Sequence, residues 1–151
     1  MERWKGKTAL VTGASAGIGY AIADALARHG MKVIGCARNI ATIHELAKSH
    51  NNGPGHVEAV QCDVSKPDQI TAMFAHIAAK YGHVDVLINN AGLVQLDPLI
   101  SGRREKWREM LEVNVLGLSV CARETLQLMQ KDGVTEGDII NVNRGYSPLR
   151  V

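Results

Sequence analysis

The reading of the chain turns on Thr12-Gly13-Ala14-Ser15-Ala16-Gly17-Ile18-Gly19. A short apolar run, Thr8 to Val11, leads into it. After it, Ile18, Ala21, Ile22, Ala25 and Leu26 recur at helical spacing and are expected to form one apolar face. The context is strand, glycine turn, helix. A turn of that kind brings backbone close to a phosphate group, and the free N–H groups at the helix start bind its charge. A plain glycine-rich turn before a helix has the same appearance.

The rest of the chain alternates strand and helix patterns, which predicts an α/β domain with a parallel sheet. Lys32 to Ala37 reads as a second strand, followed by Ile40, Ile43, Leu46 and Ala47 at helical spacing. Val57 to Cys62 reads as a third strand. Ser65 is expected to cap the next helix, with Pro67 in its first turn, Ile70, Met73, Phe74, Ile77 and Tyr81 as its buried stripe, and Gly82 as its end. Val84 to Asn89 is a fourth strand. A long helix is expected over about 104–131, with Gly117 inside it, before a fifth strand from Asp138 to Asn143.

Composition narrows the function classes. The 151 residues are 46% hydrophobic and 21% charged, with a formal charge of +2, which suits one globular domain. Such a balance points to neither nucleic acid nor an anionic membrane surface as partner. Arg103, Arg104, Lys106 and Arg108 are interrupted by Glu105 and Glu109, so pairs Glu105–Arg108 and Lys106–Glu109 at i,i+3 spacing account for them. Cys36, Cys62 and Cys121 are far apart and odd in number, which predicts reduced thiols and a cytoplasmic location. The histidines show no metal-binding spacing. No apolar run reaches membrane-spanning length.

Two further places carry chemistry. In a dinucleotide-binding fold, an acidic residue at the tip of the second strand holds the ribose hydroxyls. This chain has Cys36-Ala37-Arg38-Asn39 there. A carboxylate would repel a 2′-phosphate, whereas Arg38 can pair with one, which predicts NADP(H), with Ser15 and Asn39 as helpers. An exposed loop cation is the plain alternative. The fourth strand ends in Asn89-Asn90-Ala91-Gly92. Amide side chains there can tie neighbouring strands, while Ala91 and Gly92 leave room for a cofactor; an Asn-Gly turn is the plain alternative.

T-G-x-x-x-G-x-G followed about seventy residues later by N-N-A-G resembles the short-chain dehydrogenase/reductase family. The resemblance covers about residues 5–143. It implies NADP(H) held by Gly13, Ser15, Ala16, Gly17, Ile18, Gly19, Arg38, Asn39, Asp63, Val64, Asn90, Ala91 and Gly92. Within it, Asp63 bonds the adenine amino group and the backbone of Val64 assists, although Asp63 can equally shape the turn before Ser65. Asn114 distorts its helix and holds a water of the proton relay, although a solvent-facing asparagine is also consistent with the position. Met1-Glu2-Arg3-Trp4, Gly35-Cys36-Ala37-Arg38 and Val113-Asn114-Val115-Leu116 narrow the resemblance to members using NADP(H) on ketosteroids, other carbonyl compounds or isoprenoid alcohols.

The implied fold is α/β, a Rossmann-like doubly wound parallel sheet of five strands in order 3-2-1-4-5. Residues 1–143 are expected to form the NADP(H)-binding domain and 144–151 a divergent tail. The family's serine, and its tyrosine with a lysine four residues on, are not met before residue 151. Tyr146-Ser147-Pro148-Leu149-Arg150 imitates the spacing, but arginine does not replace lysine at a close contact. The expectation is a C-terminally truncated form with impaired turnover, or a non-catalytic partner that docks on full-length subunits through the long helix. Its fifth strand is expected to be a sheet edge.

Overall fold

The computed structural model describes residues 1–143. Five parallel strands form one sheet in the order β3-β2-β1-β4-β5. They are β1 (Thr8–Thr12), β2 (Lys32–Ala37), β3 (His56–Gln61), β4 (Val86–Asn89) and β5 (Asp138–Asn141). The helices are α1 (Gly17–Arg28), α2 (Ala41–Ser49), α3 (Pro67–Tyr81), α4 (Arg104–Leu111) and α5 (Leu118–Lys131). Parallel strands need crossovers, and the crossover helices cover both faces, so the central strands read as apolar runs without alternation. All five residues of β1 are buried.

The pleat still sorts those side chains. Ala9, Val11, Val33, Val86 and Ile88 face α1 and α2, where Ala23, Ala27, Ile43 and Leu46 complete one core. Leu10, Ile34 and Leu87 face the other layer, where Ile70, Met73, Phe74, Ile77 and Cys121 complete the second. Period-two alternation on the strands therefore builds two cores from one sheet.

Several expectations are corrected. The buried line of α1 is Gly19, Ala23 and Ala27, flanked by half-buried Ile22 and Leu26, whereas Ile18, Ala21 and Ala25 are exposed. Small side chains let this helix lie close to the sheet, so the line of contact falls on its smallest residues. Ser65 does not cap α3. Lys66 occupies that position, and the Ser65 hydroxyl and amide both donate to Asp63 Oδ1, at 2.7 and 2.9 Å. Two strands are shorter than expected, since β4 begins at Val86 and β5 ends at Asn141, and β3 is shifted one residue earlier, to His56–Gln61. Lys106 meets Glu109 at 3.2 Å, but Glu105 forms no ion pair with Arg108.

The long helix is continuous but not uniform. A π-helical turn, Glu112–Gly117, joins α4 to α5. A Cβ on Gly117 would lie 2.5 Å from the carbonyl oxygen of Val64, so glycine is what lets the helix pass under the β3–α3 turn. Its outer face exposes Leu111, Val115, Leu116 and Leu126. Among the described residues β5 is one edge of the sheet, with Asp138, Ile140 and Asn141 exposed.

At the opposite edge, Glu58 of β3 receives His76 at 2.8 Å, Lys80 at 3.0 Å and the Tyr81 hydroxyl, all from α3. Burial raises its carboxyl pKa, but these partners outweigh that and hold it below the ordinary value of 4.5. A depressed folded-state pKa gives stability that is present above the unfolded value and lost as pH falls through the folded one. Glu58→Gln is therefore expected to destabilise by about 1–2 kcal/mol at pH 7. The difference should vanish in acid unfolding curves taken below the carboxylate range.

Candidate functional site

The carboxyl ends of β1, β2, β3 and β4 open onto one cleft of about 900 Å³. An open α/β sheet places its ligand crevice at this location, where strand order reverses between β1 and β4. Gly13, Ser15 and Ala16 form one wall, Arg38 and Asn39 another, Asp63 and Val64 a third, and Asn90, Ala91 and Gly92 the floor. The chain brings these predicted residues together. Gly17, Ile18 and Gly19 lie just behind, in the first turn of α1.

The glycines do different work. Gly13 and Gly17 have φ of 67° and 56°, a region in which side chains are strained. Nothing lies within 4 Å of where a Cβ on Gly17 would stand, so its backbone is open to a ligand. Gly19 is buried and faces inward. A Cβ there would lie 2.3 Å from both Asn90 Nδ2 and the Gly13 carbonyl oxygen. The first satisfied amide of α1 is that of Tyr20, on the Ala16 carbonyl at 3.3 Å. Earlier first-turn N–H groups have no intrahelical acceptor and suit an anion.

Asn90 joins the glycine turn to β4. Its Nδ2 donates to the carbonyls of Thr12 at 3.0 Å and Gly13 at 3.1 Å. The buried Thr12 hydroxyl accepts from the amides of Asn90 and Ala91, each at 3.0 Å. Asn89 points the other way, donating to the Leu118 carbonyl at 3.3 Å and Asn141 Oδ1 at 3.0 Å.

Asn114 sits inside the π-helical turn and is half-buried, not solvent-facing. Its Oδ1 accepts from the Leu93 amide at 2.8 Å and its Nδ2 donates to the Leu93 carbonyl at 2.7 Å. This two-point clamp fixes the chain leaving Gly92.

Asp63 shapes its turn through Ser65, and its other oxygen makes no hydrogen bond among the described residues. Burial raises its pKa, but the two Ser65 hydrogen bonds and the nearby charges of Arg38 and Lys66 bring it below the ordinary value. It is an anion at neutral pH. Arg38 forms no ion pair among the described residues. Asn39 Oδ1 accepts from the Ala41 amide at 3.1 Å, so that side chain is engaged at the start of α2.

The sequence reading missed Lys66, Leu93, Arg108, Glu112 and Val113, which also line the cleft. Contacts between segments far apart in the chain place them there, and no local motif marks them. The three thiols are buried and free. Burial pushes Cys121 up to about 12, and contact with Cys62 together with burial holds Cys36 well above the ordinary thiol range. These two are not nucleophiles at neutral pH. Among the described residues no cluster suits a metal ion. Tyr146, Ser147 and Arg150 lie outside the described residues.

The family model for short chain dehydrogenase matches residues 7–147. The chain belongs to that family. Dehydrogenase/reductase SDR family member 11 of Gallus gallus is 49% identical over 145 residues, covering 95% of this chain and 57% of that protein. Farnesol dehydrogenase of Aedes aegypti is 44% identical over 145 residues, covering 95% and 59%. The chain thus spans little more than half the length of these relatives. Among solved structures, L-sorbose reductase from Gluconobacter frateurii, complexed with NADPH and L-sorbose, superposes with a TM-score of 0.85 at 32% identity, covering 93% of this chain and 54% of that one. A metagenomic short-chain oxidoreductase in complex with NADP gives 0.87 at 32% identity, covering 97% and 66%. Membership makes this an oxidoreductase-family chain.

Gly19→Ala is expected to overpack the contact between α1, Gly13 and Asn90 and to cost about 1–3 kcal/mol. Thermal unfolding should show a lowered midpoint, and nucleotide affinity should fall with it.

Proposed function

We propose that this short-chain dehydrogenase chain binds NADP(H) in preference to NAD(H), for the interconversion of a carbonyl compound and an alcohol. The observation that carries the reading is Arg38. It stands at the β2 tip, on the cleft wall and, among the described residues, without an ion pair, where a carboxylate would favour NAD(H). The NADPH and NADP complexes among the similar structures support it.

Each residue then has a physical task. The amides from Gly17 to Gly19 face the pyrophosphate, Arg38 meets the 2′-phosphate, and Ser15 borders it. Asp63 accepts from the adenine amino group with its free oxygen, and the Val64 backbone lies alongside. Ala91 and Gly92 allow close approach of the second ribose. When bound, the nicotinamide exchanges a hydride with the substrate carbon. Asn114 uses one lone pair of Oδ1 and one hydrogen of Nδ2 on Leu93, which leaves a second acceptor and a second donor with which it holds the water of the proton relay. The names farnesol dehydrogenase, 3beta-hydroxysteroid dehydrogenase and L-sorbose reductase support isoprenoid aldehydes, ketosteroids or other ketones as the substrate class. Within these 151 residues we assign binding of the cofactor and not donation of the substrate proton.

Arg38→Ala should weaken NADPH binding by about tenfold or more and NADH binding by less than about twofold. Titration of nicotinamide fluorescence measures both. Equal losses for the two cofactors would remove the assignment.

A further inference from the structure

A cation on a long flexible side chain selects a phosphate only if its backbone is held where the side chain can reach it. The β2–β3 ladder stops one residue short of Arg38. Its last register pair is Ala37 with Gln61, and the Cys62 amide closes on the Ala37 carbonyl at 3.0 Å. The next carbonyl, that of Arg38, has no strand partner. Gln61 supplies one: its Nε2 donates to the Arg38 carbonyl oxygen at 3.0 Å. The turn is held on its other side as well. The Thr42 hydroxyl, one residue into α2, donates to the Ser15 carbonyl at 2.7 Å. The segment from Arg38 to Thr42 is therefore tethered between the end of β3 and the glycine turn.

We propose that Gln61 is a positioning residue for cofactor selectivity, fixing the peptide plane after Arg38 so that its guanidinium meets the 2′-phosphate. The inference rests on the NADP(H) reading above and extends it to a residue outside the glycine and N-N-A-G motifs. Gln61 is exposed and belongs to neither core, so this hydrogen bond is the contact by which it acts on the Arg38 turn. Its effect passes through Arg38 and not through the pyrophosphate site.

The test is the Kd of NADPH and of NADH for the wild type, Gln61→Met, Arg38→Ala and the double variant. Methionine keeps the length of the side chain and removes the donor. Gln61→Met should unfold at the wild-type temperature, weaken NADPH by about threefold or more, and leave NADH within about twofold. Combined with Arg38→Ala it should cause no further loss of NADPH affinity. An unchanged NADPH affinity, equal losses for both cofactors, or a full loss persisting in the Arg38→Ala background would each overturn the proposal. If Arg38→Ala separates the two cofactors and Gln61→Met does not, only the role of Gln61 falls. If Arg38→Ala fails to separate them, the NADP(H) reading falls and this inference with it.

Discussion

Four hydrogen bonds between Thr12–Gly13 and Asn90–Ala91 hold the two sides of the cleft together. They lie just past the end of the β1–β4 ladder, whose last register pair is Val11 with Ile88, so side-chain hydrogen bonds join the glycine turn to the chain leaving β4. Buried polar groups must find partners, and here each side of the crevice supplies what the other lacks. The Thr12 hydroxyl takes two amides that leave the sheet, and the Asn90 amide takes two carbonyls that turn away from it. Gly13 and Gly19 are glycine because this join leaves no space for a Cβ. The geometry of the glycine turn is a consequence of the join.

A second fixture extends the floor of the cleft. The π-helical turn presents Asn114, whose amide completes the backbone hydrogen bonding of Leu93. An asparagine is unfavourable within a helix because it competes for backbone partners. At this position that competition serves a strand-to-loop segment instead. Gly117 allows the same helix to approach Val64, so the floor and the β3 wall share one support.

Much of this was legible in the sequence because glycine spacing and strand-terminal amides have local signatures. The cleft residues Gly13, Arg38 and Asn90 follow from such signals, and the family resemblance that they carry implies the strand order and the place of Asp63. The face of α1 was not legible. Its apolar periodicity drew attention to Ile18, which is 63% exposed, while the helix packs through Gly19 and Ala23. Ser65 reads as a helix cap, yet Asp63 two residues earlier takes its hydroxyl. Gln61 and Thr42 carry no sequence signal, because their partners Arg38 and Ser15 lie 23 and 27 residues away. Local chemistry predicts local partners, and these contacts exist only once the sheet has formed.

In the function proposed, the cleft residues hold the phosphorylated adenosine end of a nicotinamide cofactor. Adenosine 2′,5′-bisphosphate isolates that end from all redox chemistry. Calorimetric titration of the folded chain, paired with amide hydrogen exchange, should show one saturable site with protection over residues 13–19, 38–39 and 63–64. A folded chain that shows no saturable binding, or whose protection falls elsewhere, would contradict the account.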